Sequence, residues 1–137
     1  MKTMILLMAI TISVIFLSGC ADKEPLPNLG AAPLSDQYIT NAINADNKVV
    51  VALFLYPGGA PCQQQQVYLN NLQAKYGNSL VVINYPVNDV ASRQAMSDYL
   101  IETVPTTVII DDDGYIVQKY TTLTDDSKLD RTISQLV

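Results

Sequence analysis

Val49-Val50-Val51-Ala52-Leu53-Phe54-Leu55, running on into Tyr56-Pro57-Gly58-Gly59-Ala60-Pro61-Cys62, is the stretch on which the fold turns. Seven consecutive apolar residues, opening with three β-branched ones, describe a strand covered on both faces. Pro57, Gly58 and Gly59 then break the chain into a loop. Pro61 suits the first turn of a helix, where its missing N–H costs nothing. That helix carries Val67, Leu69, Leu72 and Tyr76 as apolar positions, and Gly77 stands where a C-terminal cap belongs.

The neighbouring segments repeat the alternation of strand and helix. Upstream, Ser35-Asp36 can cap a helix running to about Ala45, with Tyr38, Ile39, Ala42 and Ile43 on one face. Downstream, Leu80 to Tyr85 is a second apolar run, expected to be a buried strand. Asn88-Asp89 opens a helix with Val90, Ala91, Ala95, Tyr99 and Leu100 as its apolar positions. Thr107 to Ile110, an Asp113-Gly114 turn and Tyr115 to Tyr120 form a hairpin. Thr124 is expected to cap a last helix, with Asp125 and Asp126 in its first turn and Ile133 and Leu136 facing inward. The first two strands are joined by a helical crossover and so pair in parallel, while the last two pair as a hairpin. The expected class is therefore α/β, a mixed central sheet flanked by helices over residues 35–137.

The chain begins differently. Lys2 precedes an apolar run from Met4 to Leu17, which is closed by Leu17-Ser18-Gly19-Cys20. A charged start, a short apolar core and small residues at its end form a secretory signal, too short for a comfortable membrane span of about 20 residues. Leu-Ser-Gly-Cys resembles the lipobox of bacterial lipoproteins. That resemblance implies a signal peptide over residues 1–19, cleavage before Cys20, a diacylglyceryl thioether on its sulfur and a second acylation (a palmitate-type chain) on its amino group. The expected location is the cell envelope, lipid-anchored on the extracytoplasmic side. In an envelope with two membranes, Ala21 in place of aspartate points to the outer membrane facing the periplasm; otherwise the outer face of the cell membrane is implied. Residues 20–34, with Pro25, Pro27, Pro33 and Gly30, read as a lipidated cysteine followed by an extended tether. At about 3 Å per residue the tether would hold the domain some 40 Å from the lipid.

Composition narrows the function classes. With eight basic and 13 acidic residues the chain has a net charge of −5, and cleavage that removes Lys2 leaves the mature chain more acidic by a single charge. No Lys/Arg stripe supports nucleic-acid binding. The absence of histidine removes imidazole acid/base chemistry and imidazole metal ligands. Asp111-Asp112-Asp113-Gly114 lacks the alternating acids and distant glutamate of a calcium loop and reads as a solvated turn. No metal and no cofactor is expected. Gln63 to Gln66 reads as the polar face of the helix that Pro61 opens.

Element order, spacing and two motifs together resemble thioredoxin, in particular its periplasmic branch. Phe54 to Cys62 aligns without gaps to the family's strand end and Trp-Cys-Gly-Pro-Cys loop. Val104-Pro105-Thr106-Thr107, leading to Gly114, is similar to the family's cis-proline loop, strand and turn. The resemblance implies a thioredoxin-like three-layer sandwich. Carried over residue by residue, Cys62 falls on the resolving cysteine, Pro61 on the loop proline and Pro105 on the cis-proline beside which an extended substrate binds. Gly59 stands where the nucleophilic cysteine belongs, Gly58 where the tryptophan does, and Leu53 where a buried acid moves protons.

Dithiol exchange requires an attacking thiolate and a second thiol to release the mixed disulfide, so ordinary turnover is not expected. Two cysteines are present, and the lipid takes Cys20. Three readings follow. The first is a non-catalytic module that binds an envelope protein or peptide in a groove at Gly58, Gly59, Pro61, Cys62, Val104 and Pro105, with Tyr56 at its border. The second is a single-thiol oxidoreductase or peroxide-reacting protein using Cys62. The third is a structural lipoprotein of an envelope complex. Gly58 and Gly59 could alternatively present N–H groups to an anion at a helix start.

Overall fold

The computed structural model describes residues 25–33, 36–46 and 48–137; the signal segment, Cys20 and Ser35 lie outside them. The elements are α1 (Gln37–Asp46), β1 (Val49–Leu55), α2 (Ala60–Tyr76), β2 (Leu80–Pro86), α3 (Arg93–Asp98), β3 (Thr106–Ile110), β4 (Ile116–Tyr120) and α4 (Asp126–Ile133), with single 3-10 turns at Gly77–Ser79 and Val90–Ser92. This is the order that the hydrophobic pattern requires.

The sheet order is β2-β1-β3-β4. β1 and β2 run parallel from Val49↔Leu80 to Leu55↔Pro86. β3 is antiparallel to β1, with Phe54 opposite Thr106 and Val50 opposite Ile110. β4 returns along β3 with Tyr120 opposite Thr107. Each of the seven β1 residues is buried, because this central strand has a helical layer on both sides. Side chains alternate across it. Val49, Val51, Leu53 and Leu55 pack with Cys62, Leu69 and Leu72 of α2 and with Leu129 and Ile133 of α4. Val50, Ala52 and Phe54 pack with Ile39 of α1 and with Ala95 and Tyr99 at α3. The molecule is thus a three-layer α/β sandwich with a mixed sheet.

Several local expectations change in the folded chain. β2 is an edge strand: Val81, Val82 and Ile83 are half-buried and Asn84 is exposed. An apolar run signals a strand but not its place in the sheet. Val67, Val90 and Leu100 are exposed: Val67 is on the outer side of α2, Val90 is in the 3-10 turn before α3, and Leu100 is in the turn after it, with φ +51°. The cap of α4 is Asp125, whose carboxylate accepts the Lys128 N–H at 2.9 Å. Thr124 is instead buried and serves α2. The cap of α1 is Asp36, accepting from the N–H groups of Tyr38 (2.8 Å) and Ile39 (3.3 Å).

The expected tether is the largest change. Residues 25–33 are extended, but they lie against the domain. Leu29 N–H donates to Ile116 O, Ile116 N–H to Gly30 O and Ala32 N–H to Gly114 O, each at 2.8 Å, and Ala31 bridges Tyr115 antiparallel. Ala32 is buried and Leu26 packs on the α2–α4 core. An edge strand offers a row of unpaired backbone groups, and this proline-containing segment pairs with the turn before β4 and with Ile116, the first residue of β4.

Candidate functional site

The register of the sheet assembles the site. β1 ends at Leu55 where β3 begins at Thr106, so one further residue along that register sets Pro105 beside Leu55. The loop Tyr56 to Gly59 and the loop that ends at Val104-Pro105 therefore share one end of the sheet. The Val104–Pro105 peptide bond is cis. Val104 is half-buried and touches both halves of the core, while Pro105 is buried.

The proline loop is held from outside. Lys119 Nζ donates to Tyr99 O (2.8 Å) and Leu100 O (2.9 Å). Thr103 Oγ1 donates to Thr121 O at 2.9 Å, and Thr106 Oγ1 to Thr103 O at 2.6 Å. The first three bonds tie the chain before Val104 to β4 and its following turn, and the last closes the loop across Val104 and Pro105. Nothing among the described residues hydrogen-bonds the Val104 backbone N–H or C=O.

The facing loop is closed around its sulfur. Cys62 is 2% exposed, and its Sγ accepts the Tyr56 N–H at 3.3 Å. Gly59 N–H donates to Tyr56 O at 3.1 Å, and Gly59 O accepts the Gln63 N–H at 2.9 Å. The Gly59 N–H is thus engaged inside the loop, which takes away one of the donors an anion would need. Gly58 and Pro61 are exposed, and Tyr56 is 55% exposed beside them. Gly58 has φ +87°, a conformation that glycine adopts without steric cost.

Gly59 is different. Its φ of −72° suits any residue. A Cβ built on it lies 3.7 Å from Cys62 Sγ, 3.9 Å from Cys62 Cβ and 3.4 Å from Tyr56 O. Cβ atoms joined through a disulfide are about 3.5–4.5 Å apart. The backbone at position 59 keeps the shape of a paired cysteine while the side chain is missing. Leu53 is fully buried with Cys62 in the same apolar cluster, so no carboxylate stands near the sulfur on that strand.

Gln65 is a functional-looking residue that sequence reasoning assigns to a polar face. It is fully buried. Its Nε2 donates to Thr124 O at 3.1 Å, and its Oε1 accepts the Thr124 N–H at 2.7 Å. The amide closes a two-way clasp between α2 and the turn before α4. Four consecutive glutamines carry no signal for which one turns inward.

Two cavities lie away from these loops. One, of about 470 Å³, sits between the start of α1, edge β2 and α3, with Asp36, Tyr85, Asp89 and Asp98 in its wall. Its carboxylates already have partners: Asp36 caps α1 and accepts the Tyr85 hydroxyl, Asp89 accepts the Ala91 N–H and Asp98 a Gln94 amide proton. The other, about 380 Å³, lies between residues 25–28 and the end of the chain. At the hairpin, Asp111 Oδ1 accepts the Tyr115 N–H at 2.7 Å. Among the described residues, no group of three or more Cys, Asp or Glu is arranged to hold a metal ion.

With this geometry in view, the chain can be compared with known proteins. No protein-family model matches the chain, and no curated protein matches its sequence. Solved structures do. A mutant thioredoxin from Halobacterium salinarum is 27% identical, with TM-score 0.61 over 74% of this chain and 85% of that one. The germline-specific thioredoxin Deadhead from Drosophila melanogaster is 21% identical, with TM-score 0.62 over 80% of this chain and 100% of that one. Chloroplastic thioredoxin z is 16% identical, with TM-score 0.62 over 72% and 87% of the two chains. The chain has the thioredoxin-like fold.

Proposed function

We propose that this chain is a lipid-anchored protein of the cell envelope whose thioredoxin-like domain holds an extended polypeptide beside Val104 and Pro105 and turns over no dithiol. The observation that carries the reading is the contrast at one end of the sheet. The Val104 backbone has no hydrogen-bond partner among the described residues, while the one sulfur nearby is buried and already accepts a bond. Unpaired backbone groups beside a sheet suit strand addition, in which main-chain bonds supply affinity. Exposed Tyr56 and the small side of Gly58-Gly59 leave room for the added segment. Gly59 provides no nucleophile, and Leu53 no proton relay.

The test uses the mature protein and an unfolded polypeptide with its cysteines alkylated, so that no disulfide chemistry is available. Binding is expected to slow hydrogen exchange at the Val104 amide, and the protein is expected to leave insulin disulfides intact in the presence of dithiothreitol. Insulin reduction that disappears in Cys62→Ser would overturn the proposal.

A second reading, a single-thiol oxidoreductase or peroxide-reacting protein, has one observation in its favour: Cys62 lies in the first turn of α2, where a helix favours negative charge. Its discriminator is alkylation of the native protein. A sulfur that reacts with iodoacetamide only upon unfolding has no access to a disulfide or a peroxide.

A further inference from the structure

We infer that the anchor orients the domain: the end of the sheet with the β3–β4 turn and the tail of α4 faces the bilayer closely, and the end with Tyr56 to Cys62 and Pro105 faces away. The inference rests on the lipid-anchor reading of Cys20 and adds to it a face and a distance.

It comes from where the chain joins the domain. Residues 29–32 pair with residues 114–116 through three backbone bonds of 2.8 Å, and Leu26 packs on the α2–α4 core. The described chain therefore meets the domain at Pro25, which shares a cavity wall with Asp111, Val117, Gln135 and Leu136. Asp111 follows β3, and Gln135 follows α4. Ile116 lies opposite Ile110, and Ile110 opposite Val50 near the start of β1. The candidate groove lies at the other end, where Leu55, Thr106 and Tyr120 finish or begin their strands.

Distances then decide the geometry. Only Ala21 to Glu24 separate Cys20 from Pro25, and the five backbone steps between them reach at most about 18 Å. The two ends of the sheet are separated by the length of β1, about 20 Å. A linker attached at one end and shorter than the sheet cannot bring the opposite end face-on to the lipid. The domain rides next to the bilayer, not some 40 Å above it, and its groove opens to the aqueous side.

Charge does not supply this orientation. The surface turned to the lipid carries Asp111, Asp112 and Asp113, which gain nothing from anionic headgroups. The short covalent link does the orienting. A polypeptide reaching the groove comes from the aqueous space.

The experiment expresses the full chain with its leader and extracts it from membranes. Mass analysis of the peptide that begins at Cys20 reports acylation by itself. In a Cys62→Ala background, acylation blocks Cys20, so Asp112→Cys and Thr122→Cys each offer a single free thiol for a fluorophore; both sites are exposed. Thr122 follows β4 at the groove end. In phosphatidylcholine vesicles bearing a headgroup quencher, the probe at 112 is expected to lose most of its emission and the probe at 122 little. Inserting a flexible Gly/Ser run between Glu24 and Pro25 is expected to equalise them. Equal or reversed quenching in acylated protein overturns the orientation alone. A Cys20 peptide without acyl mass overturns the anchor reading, and this inference with it.

Discussion

Leu53, Cys62 and Gln65 belong to one face of the sheet, and Phe54, Tyr85 and Tyr99 to the other. On the first face, aliphatic side chains from α2 and α4 surround the sulfur, and the buried amide of Gln65 is spent on Thr124. On the second, Phe54 stacks on Tyr85 with ring centroids 4.9 Å apart and meets Tyr99 at 5.8 Å. Burial, then the Asp36 carboxylate, pushes the Tyr85 phenol far above its ordinary value, and burial does the same to Tyr99. Each face keeps one buried hydroxyl with no partner among the described residues, Thr107 on the first and Tyr99 on the second. Around the sulfur the first face is lined with apolar side chains, and its shifted groups, Lys75, Tyr76, Asp125 and Asp130, lie on the outer helices, while the two buried, strongly perturbed phenols sit on the far side of the sheet. A domain that exchanged dithiols would need the reverse: a proton-handling group on the sulfur's own face.

The sharpest way to break this contrast is Leu53→Asp. A carboxylate forced among Val51, Leu55, Cys62 and Leu69 has no partner there, and the expected loss is about 4 kcal/mol. Burial raises the folded-state pKa of such an acid, so the loss grows as pH rises above about 4, the unfolded value. Urea melts at pH 5 and pH 8 check both size and sign; an unchanged midpoint would show that the first face is not sealed.

Gln65→Leu is expected to cost about 3 kcal/mol, because it strands the buried N–H and C=O of Thr124. The same melts measure it, and a loss near zero would mean that water replaces the clasp.

Gly59→Cys tests the loop geometry. Its Cβ position relative to Cys62 predicts a disulfide on mild oxidation, worth about 2 kcal/mol for so short a loop. Thiol titration under native conditions should find no free sulfur in the oxidised domain. Persistent free thiols would show that the loop departs from the paired-cysteine shape.

The smallest effect belongs to the second face. Tyr99→Phe removes a hydroxyl that has no partner among the described residues and is expected to stabilise the domain by about 1 kcal/mol. Because folding raises the pKa of this phenol, its contribution is intact below the unfolded value near 10 and fades as pH rises beyond it. The variant should therefore lose less stability than the parent between about pH 9 and pH 11. A destabilised Tyr99→Phe would reveal a partner for that hydroxyl.

Particular residues show what the chain makes legible. The unbroken run from Val49 to Leu55 marks the central strand because only a doubly covered strand tolerates seven apolar residues in a row. Leu80 to Tyr85 looks the same in sequence and yet is an edge, since a strand's neighbours are chosen by the rest of the sheet. Asp125 rather than Thr124 caps α4, because Thr124 has a buried partner fifty-nine residues away in Gln65. The proline-rich stretch reads as a tether on composition, and Leu26 and Ala32 nevertheless find the core.

The amino-acid order alone determined the succession of strands and helices, the cysteine-free position 59 and the two loop motifs, because periodicity, turn residues and side-chain identity are local properties. Folding decided that Cys62 is shut in by the Tyr56 N–H, that Gln65 turns inward and that residues 29–32 pair with residues 114–116. Those outcomes depend on which distant groups arrive within hydrogen-bonding distance, and such proximity exists only once the layers have packed.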